Sequence, residues 1–283
     1  MSTDRGAHGG PLRPSPIAGT WYPAQPEELA RSVRALLDAA EPVQLDGELV
    51  ALVSPHAGLR YSGPVAAAGY QLLGQFRFES VIIIGPSHHA YFQGASIFAR
   101  GAFETPLGHA AVDEELAEAI QSRDRRLCFF AEAHDREHCL EMQLPFLQVL
   151  APGVSMVPIV MGDQRRENVE AISRAVAEAV AASGESVLLV ASSDLSHYKS
   201  AETAARMDGR VADCLERFAP EELMSLLEEN HEHACGGGPI VAVLMAARTL
   251  GAGKARVLRY ADSGDITGDK SEVVGYLSAA IAR

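Results

Sequence analysis

Ser80-Val81-Ile82-Ile83-Ile84-Gly85 runs directly into Pro86-Ser87-His88-His89, and the same pattern occurs twice more in the chain. Glu48 to Ser54 (ELVALVS) runs into Pro55-His56-Ala57-Gly58, and Ser186 to Ala191 (SVLLVA) into Ser192-Ser193-Asp194-Leu195-Ser196-His197. Each stretch is apolar at every position rather than at alternate ones, which marks strands covered on both faces of a sheet. Val154 to Val160 is a further run of this kind. Between and after these runs lie helical patterns: Gly63 to Leu73, Arg165 to Ala182, Ala201 to Arg217, Glu221 to Asn230 and Pro239 to Leu250. Ala255 to Tyr260 and Ser271 to Ala280 read as closing strands. Alternating strands and helices predict an α/β fold: a single domain over residues 14–283 with a largely parallel or mixed central sheet flanked by helices.

The fold class gives the histidines their interest. In open α/β sheets, ligands bind beyond the carboxyl ends of the strands. Three parallel strands ending in histidine-bearing turns would deliver imidazoles to one edge. A single loop histidine is usually only solvated, so the weight lies in the threefold recurrence.

Two other segments add candidates. His134-Asp135-Arg136-Glu137-His138 precedes an amphipathic stretch, Cys139 to Leu150. On a helix, His138 and Glu141 would share a face at i, i+3, although acids in a first turn are also simply favoured by the helix dipole. His231-Glu232-His233-Ala234-Cys235-Gly236-Gly237-Gly238-Pro239 is a compact loop opening a helix. A thiol there, near free amides and imidazoles, is expected to ionise readily and to be the reactive one of the four cysteines. Cys128 and Cys214 read as packing residues, and Cys139 as structural. GGGP lacks the Lys-Ser/Thr of a phosphate-binding loop. Imidazoles with a thiolate and open positions suit zinc, copper or iron, and ligand types alone do not separate these.

The bulk composition narrows the function. The 283 residues are 47% hydrophobic and 22% charged, with a formal net charge of −13. An acidic chain with no basic run does not suit a nucleic-acid partner. No apolar run approaches the roughly 20 residues that span a bilayer, and no CxxC pair occurs. With nothing resembling a signal peptide at the N-terminus, the expected location is the cytoplasm. Residues 1–13 read as a disordered, dispensable leader.

Six motifs occur in order: Ala18-Gly19-Thr20-Trp21-Tyr22, Pro55-His56-Ala57-Gly58, Gly85-Pro86-Ser87-His88-His89, Glu137-His138-Cys139-Leu140-Glu141-Met142, Ser192-Ser193-Asp194 with His197, and Cys235-Gly236. On these the chain resembles the Memo family (mediator of ErbB2-driven cell motility), which includes protein B of the AmmeMemoRadiSam system, from about Pro16 to the C-terminus. The resemblance implies a fold similar to class III extradiol dioxygenases, which are non-heme iron enzymes. It implies a metal held by two histidines and a cysteine, which map to His56, His88 and Cys235, with Asp194, His197, His138 and Glu141 as polar neighbours. Fe(II) is the implied metal, with Cu or Zn as alternatives. The dioxygenases carry a glutamate where this pattern has cysteine, so ring cleavage does not carry over. Gly237-Gly238 departs from the bulkier residues of the animal protein, which suggests a wider cleft.

The leading expectation is a metal-dependent, oxygenase-like oxidoreductase acting on a small, aromatic-type molecule. In it His197 or His138 is general acid or base, and Asp194 and Glu141 orient the imidazoles. Radical SAM and AMMECR-type proteins of the same system are its implied partners. A metal-sequestering or peptide-binding scaffold and a zinc hydrolase are the rivals. The first is weakened by the scarcity of cations beyond Arg60 and Lys199 near the histidine turns.

Overall fold

Leu49–Ser54, Val187–Ser192, Ser80–Pro86 and Ser155–Met161 lie side by side, in that order, as four parallel strands. They form the centre of the protein in a computed structural model that describes residues 10–283. Every residue of the first three is buried. Successive side chains of a strand point to opposite faces, so this unbroken burial means that both faces are covered. Helix Gly237–Thr249 packs on three of these strands and against helix Arg166–Ser183, while helix Leu59–Tyr70 packs against Leu49–Ser54 and the C-terminal strand.

The sheet is mixed rather than wholly parallel. Val273–Ala282 joins Leu49–Ser54 antiparallel and carries both Lys254–Asp262 and His197–Lys199. At the other end Ala95–Ile97 runs antiparallel to Ser155–Met161, and the short strand Leu127–Cys128 forms the edge. The expected strands and helices all form, with ends shifted by a few residues. The largest shift is in the helix expected from Gly63, which spans Leu59–Tyr70.

The stretch after His138 differs from expectation. It is not one helix but a 3₁₀ turn, Glu141–Gln143, followed by a short helix, Leu144–Leu150. Pro145 sits in that helix's first turn, where its missing N–H is harmless. His138 therefore does not share a helix face with Glu141.

The N-terminal expectation also needs correction. The part of the leader at residues 1–9 lies outside the described residues. Leu12–Arg13 is not disordered: it pairs in parallel with Ala102–Thr105, in a small sheet completed by Gly108–Ala111. Arg13 is 4% exposed and pairs with the fully buried Glu141. Its low neighbouring hydropathy hid the fact that a buried carboxylate needs its charge. A chain beginning at Pro14 should therefore melt roughly 5–10 °C below one beginning at Gly10, since stranding Glu141 costs about 3–5 kcal/mol. Equal melting temperatures in calorimetry would contradict this.

A candidate metal centre

The carboxyl ends of the three histidine strands meet as the sequence pattern implied, and two glycines close the space around them. A Cβ on Gly85 would lie 2.4 Å from the Cys139 sulfur, so only glycine lets the 137–139 segment settle on the end of its strand. A Cβ on Gly236 would lie 2.5 Å from the Ser192 carbonyl oxygen. That position is how the Cys235 loop comes down onto the third strand, with the Cys235 N–H donating to the Asp194 carbonyl at 3.2 Å.

His56, His88 and His138 form one cluster, with a candidate ligand atom from each within 4.8 Å of the others. Their ring centroids are 5.1, 5.3 and 4.5 Å apart pairwise. The Cys235 sulfur is 3.2 Å from Nε2 of His56. His89 is exposed, its ring 6.2 Å from that of His138.

The hydrogen bonds fix which nitrogen faces the cluster. The Ser192 hydroxyl donates its one proton to the Cys139 carbonyl at 2.7 Å, while Gln143 Nε2 donates to it at 2.9 Å. Ser192 Oγ can then only accept from His56 Nδ1, 2.9 Å away. His56 is thus an Nδ1–H tautomer, with the Nε2 lone pair turned to Cys235. Nδ1 of His88 lies 2.8 Å from a carboxylate oxygen of Glu137, which only accepts, so His88 too keeps Nε2 free. Two imidazoles so locked, each with the second nitrogen bonded, are what metal-ligating histidines require.

Glu137 is the residue that sequence reasoning passed over. Its carboxylate accepts from the His88 N–H at 2.7 Å, the His138 N–H at 3.0 Å and the Cys139 N–H at 3.1 Å, besides the His88 ring. Burial alone would push its pKa up, but these bonds and His88 outweigh it and hold it far below the usual carboxylate range. The role expected of Glu141 belongs to Glu137: Glu141 instead accepts from Arg13, and from Ser15 and Tyr22 at 2.5 Å each. Gln143 and Ser192 were likewise missed as orienting groups. Their cue was faint, a polar side chain among apolar neighbours.

Asp194 does not bond an imidazole. Its Oδ1 accepts from the backbone N–H groups of His56, at 2.8 Å, and Ala57, at 3.2 Å, and so shapes the turn that carries His56. Burial pushes its pKa up. His197 donates from Nδ1 to the Leu195 carbonyl at 2.8 Å, leaving its own Nε2 free. The His138 ring lies tilted against Trp21, with centroids 4.2 Å apart, and burial, then the charges of His56 and His88, lower its pKa to about 3.

The thiol expectation is reversed. Burial, then the Asp194 carboxylate, push the Cys235 pKa up rather than down. Desolvation outweighs the favourable helix terminus, because packing around the half-buried sulfur keeps most water from a thiolate. Cys128, read as a packing residue, is exposed on the edge strand, while Cys139 and Cys214 are buried. In metal-free protein Cys128 should be alkylated first, with Cys235 well behind it and slowed further by bound metal. Mass-spectrometric mapping of timed labelling tests this; Cys235 labelling ahead of Cys128 would contradict it.

Beside Cys235 opens a cleft of about 900 Å³, with Met224, Leu227 and Ala234 in its wall and Tyr91 and Arg165 also lining it. A Cβ on Gly238 would meet Met161 Sδ at 2.9 Å and Gln164, and one on Gly237 would meet Leu227, so close packing requires both glycines. Lys199 is paired with Glu232 at 3.0 Å, leaving it less available to an anionic peptide.

One buried histidine outside the cluster adds to the acid sensitivity of the fold. His134 is 2% exposed and packs against Phe98, Phe103 and Phe129; burial, then Arg13, lower its pKa to about 3. The folded state thus refuses a proton that the unfolded chain takes near pH 6.5. The resulting stability is present above that pH and is lost progressively as pH falls toward 3. By pH 4 the loss from this group should be about 3 kcal/mol, and His134→Phe should remove most of it. Urea unfolding at a series of pH values measures both; parallel profiles for the two proteins would refute the assignment.

Comparison with known proteins places these features. The family model described as Memo-like protein matches residues 13–280. A MEMO1 family protein of Methanothermobacter thermautotrophicus is 35% identical over 272 residues, covering 94% of this chain and 98% of its own. One from Thermotoga sp. strain RQ2 is 38% identical over 275 residues, with the same coverages of 94% and 98%. In fold, the chain is similar to an uncharacterized Escherichia coli K12 protein of known crystal structure, at TM-score 0.56 and 18% identity, over 82% of this chain and 99% of that one.

Proposed function

The chain belongs to the Memo-like protein family, and from that premise we propose that the cluster binds one metal ion used in oxidoreductase chemistry on a small molecule. His56 and His88 are its imidazole ligands, and Cys235 supplies the third donor, with His138 the competing one. Fe(II) is the first choice of metal, and Cu or Zn would fit the same nitrogen and sulfur donors. The observation that carries this reading is the pair of locked tautomers, which leave Nε2 lone pairs free on two clustered histidines. The metal, when bound, supplies electron transfer and Lewis acidity.

The other residues divide the remaining work. His138, held neutral, serves as a ligand or neutral hydrogen-bonding group rather than as a base at pH 7. His197 is then the proton acceptor of choice, its Nδ1–H anchored on Leu195. The adjoining cleft, with Tyr91, Met224 and Leu227, suits an apolar or aromatic substrate. No helix among the described residues is long and apolar enough to cross a membrane. The test is anaerobic purification followed by metal analysis and titration with Fe(II), Cu(I) and Zn(II). About one equivalent of a bound metal, lost in His56→Ala, is the expected result. Failure of all three ions to bind above background would end the proposal.

A further inference from the structure

We infer that Arg13 is a positioning residue of the centre: it anchors the segment that carries Glu137, and through Glu137 it sets His88. Nε of Arg13 donates to the His134 carbonyl at 2.8 Å, one terminal nitrogen donates to the Glu137 carbonyl, and the other pairs with Glu141. The guanidinium carbon lies 4.5 Å from the centroid of the Phe103 ring. Its planar fork thus grips the backbone at two residues that bracket the exit of the short helix Glu132–Asp135. Glu137, fixed at its carbonyl, turns its carboxylate onto the His88 ring and onto three backbone N–H groups. The chain of contacts from Arg13 to a free Nε2 on His88 has no side-chain gap.

The Glu141 pairing explains why a charge can sit there, and the carbonyl contacts explain why it must be arginine. A lysine could still neutralise Glu141, but its single ammonium cannot span His134, Glu137 and Glu141 together. Charge and positioning are therefore separable by substitution. Arg13→Lys keeps the ion pair and loses the grip. Arg13→Met with Glu141→Gln removes both charges, avoiding an unpaired buried ion, and also loses the grip. Tyr22→Phe removes a donor to Glu141 while leaving both carbonyl contacts in place.

Two readouts decide the matter. In metal-free protein, histidine-selective NMR should show a protected, downfield Nδ1 proton for His88, assigned with His88→Gln. In zinc titrations against a chromophoric chelator, affinity should fall about 10–100-fold when the orienting contact is lost. Both Arg13→Lys and the double variant should lose the His88 signal and the affinity, whereas Tyr22→Phe should keep both while melting lower. The inference is overturned if either Arg13 variant, folded, keeps the His88 signal and wild-type zinc affinity, or if Tyr22→Phe loses as much as they do. The zinc arm rests on the metal-centre reading. Should wild-type protein take up no metal, that reading falls, and the His88 proton in metal-free protein still decides the role of Arg13.

Discussion

Alanine at His56 or at His88 will lower metal affinity by one to several orders of magnitude and leave the fold intact. The size follows from ligand count: with three protein donors, none is spare. Each imidazole is held by its other nitrogen, His56 on Ser192 and His88 on Glu137, so each is already oriented when the metal arrives. His89→Ala should leave affinity within about twofold of wild type, because its ring lies 6.2 Å from that of His138 and outside the cluster of three; it thus serves as the matched control for His88, which is likewise exposed. The same titrations on Cys235→Ala and His138→Ala identify the third donor as the one whose loss costs more. Retention of metal by His88→Ala and its loss from His89→Ala would reverse the assignment within the Gly85–His89 turn.

Glu137→Gln should produce the largest loss from any residue that is not itself a proposed ligand. The carboxylate serves three backbone N–H groups and one imidazole. A glutamine offers one acceptor oxygen and turns an NH₂ group against donors. The unpaired donors should cost about 3 kcal/mol, or roughly 5 °C in melting temperature, and metal affinity should fall about 10–100-fold as His88 loses its tautomer lock. Glu141→Gln is the contrast. It should destabilise through Arg13 and Tyr22 without acting directly on an imidazole. Thermal melts and metal titrations on both variants test this, and equal effects on affinity would remove the distinction between the two glutamates.

The fold and the site's location were legible along the chain, because both rest on local rules. Unbroken apolar runs such as Ser80 to Gly85 bury on both faces wherever they are placed, and parallel strands put their following turns at one edge. The turns that carry His56, His88 and His197 could therefore be placed at one edge from sequence order alone. The ordered motifs added Cys235. What could not be read were the pairings set by side-chain direction and by segments distant in sequence. Glu137 and Glu141 are equally acidic and only four residues apart; the fold turns Glu141 to Arg13 and Glu137 to His88. Cys235 has the neighbours of a reactive thiol, yet burial reverses its ionisation, and burial belongs to the whole fold. Arg13 lies in a stretch whose composition suggests a tail, but its partners are Glu141 and the His134 and Glu137 carbonyls, more than a hundred residues away. Hydrophobic patterning is written into each segment separately. Hydrogen-bond direction and desolvation exist only once the segments have packed, so the tertiary structure alone decided which polar residue holds which histidine.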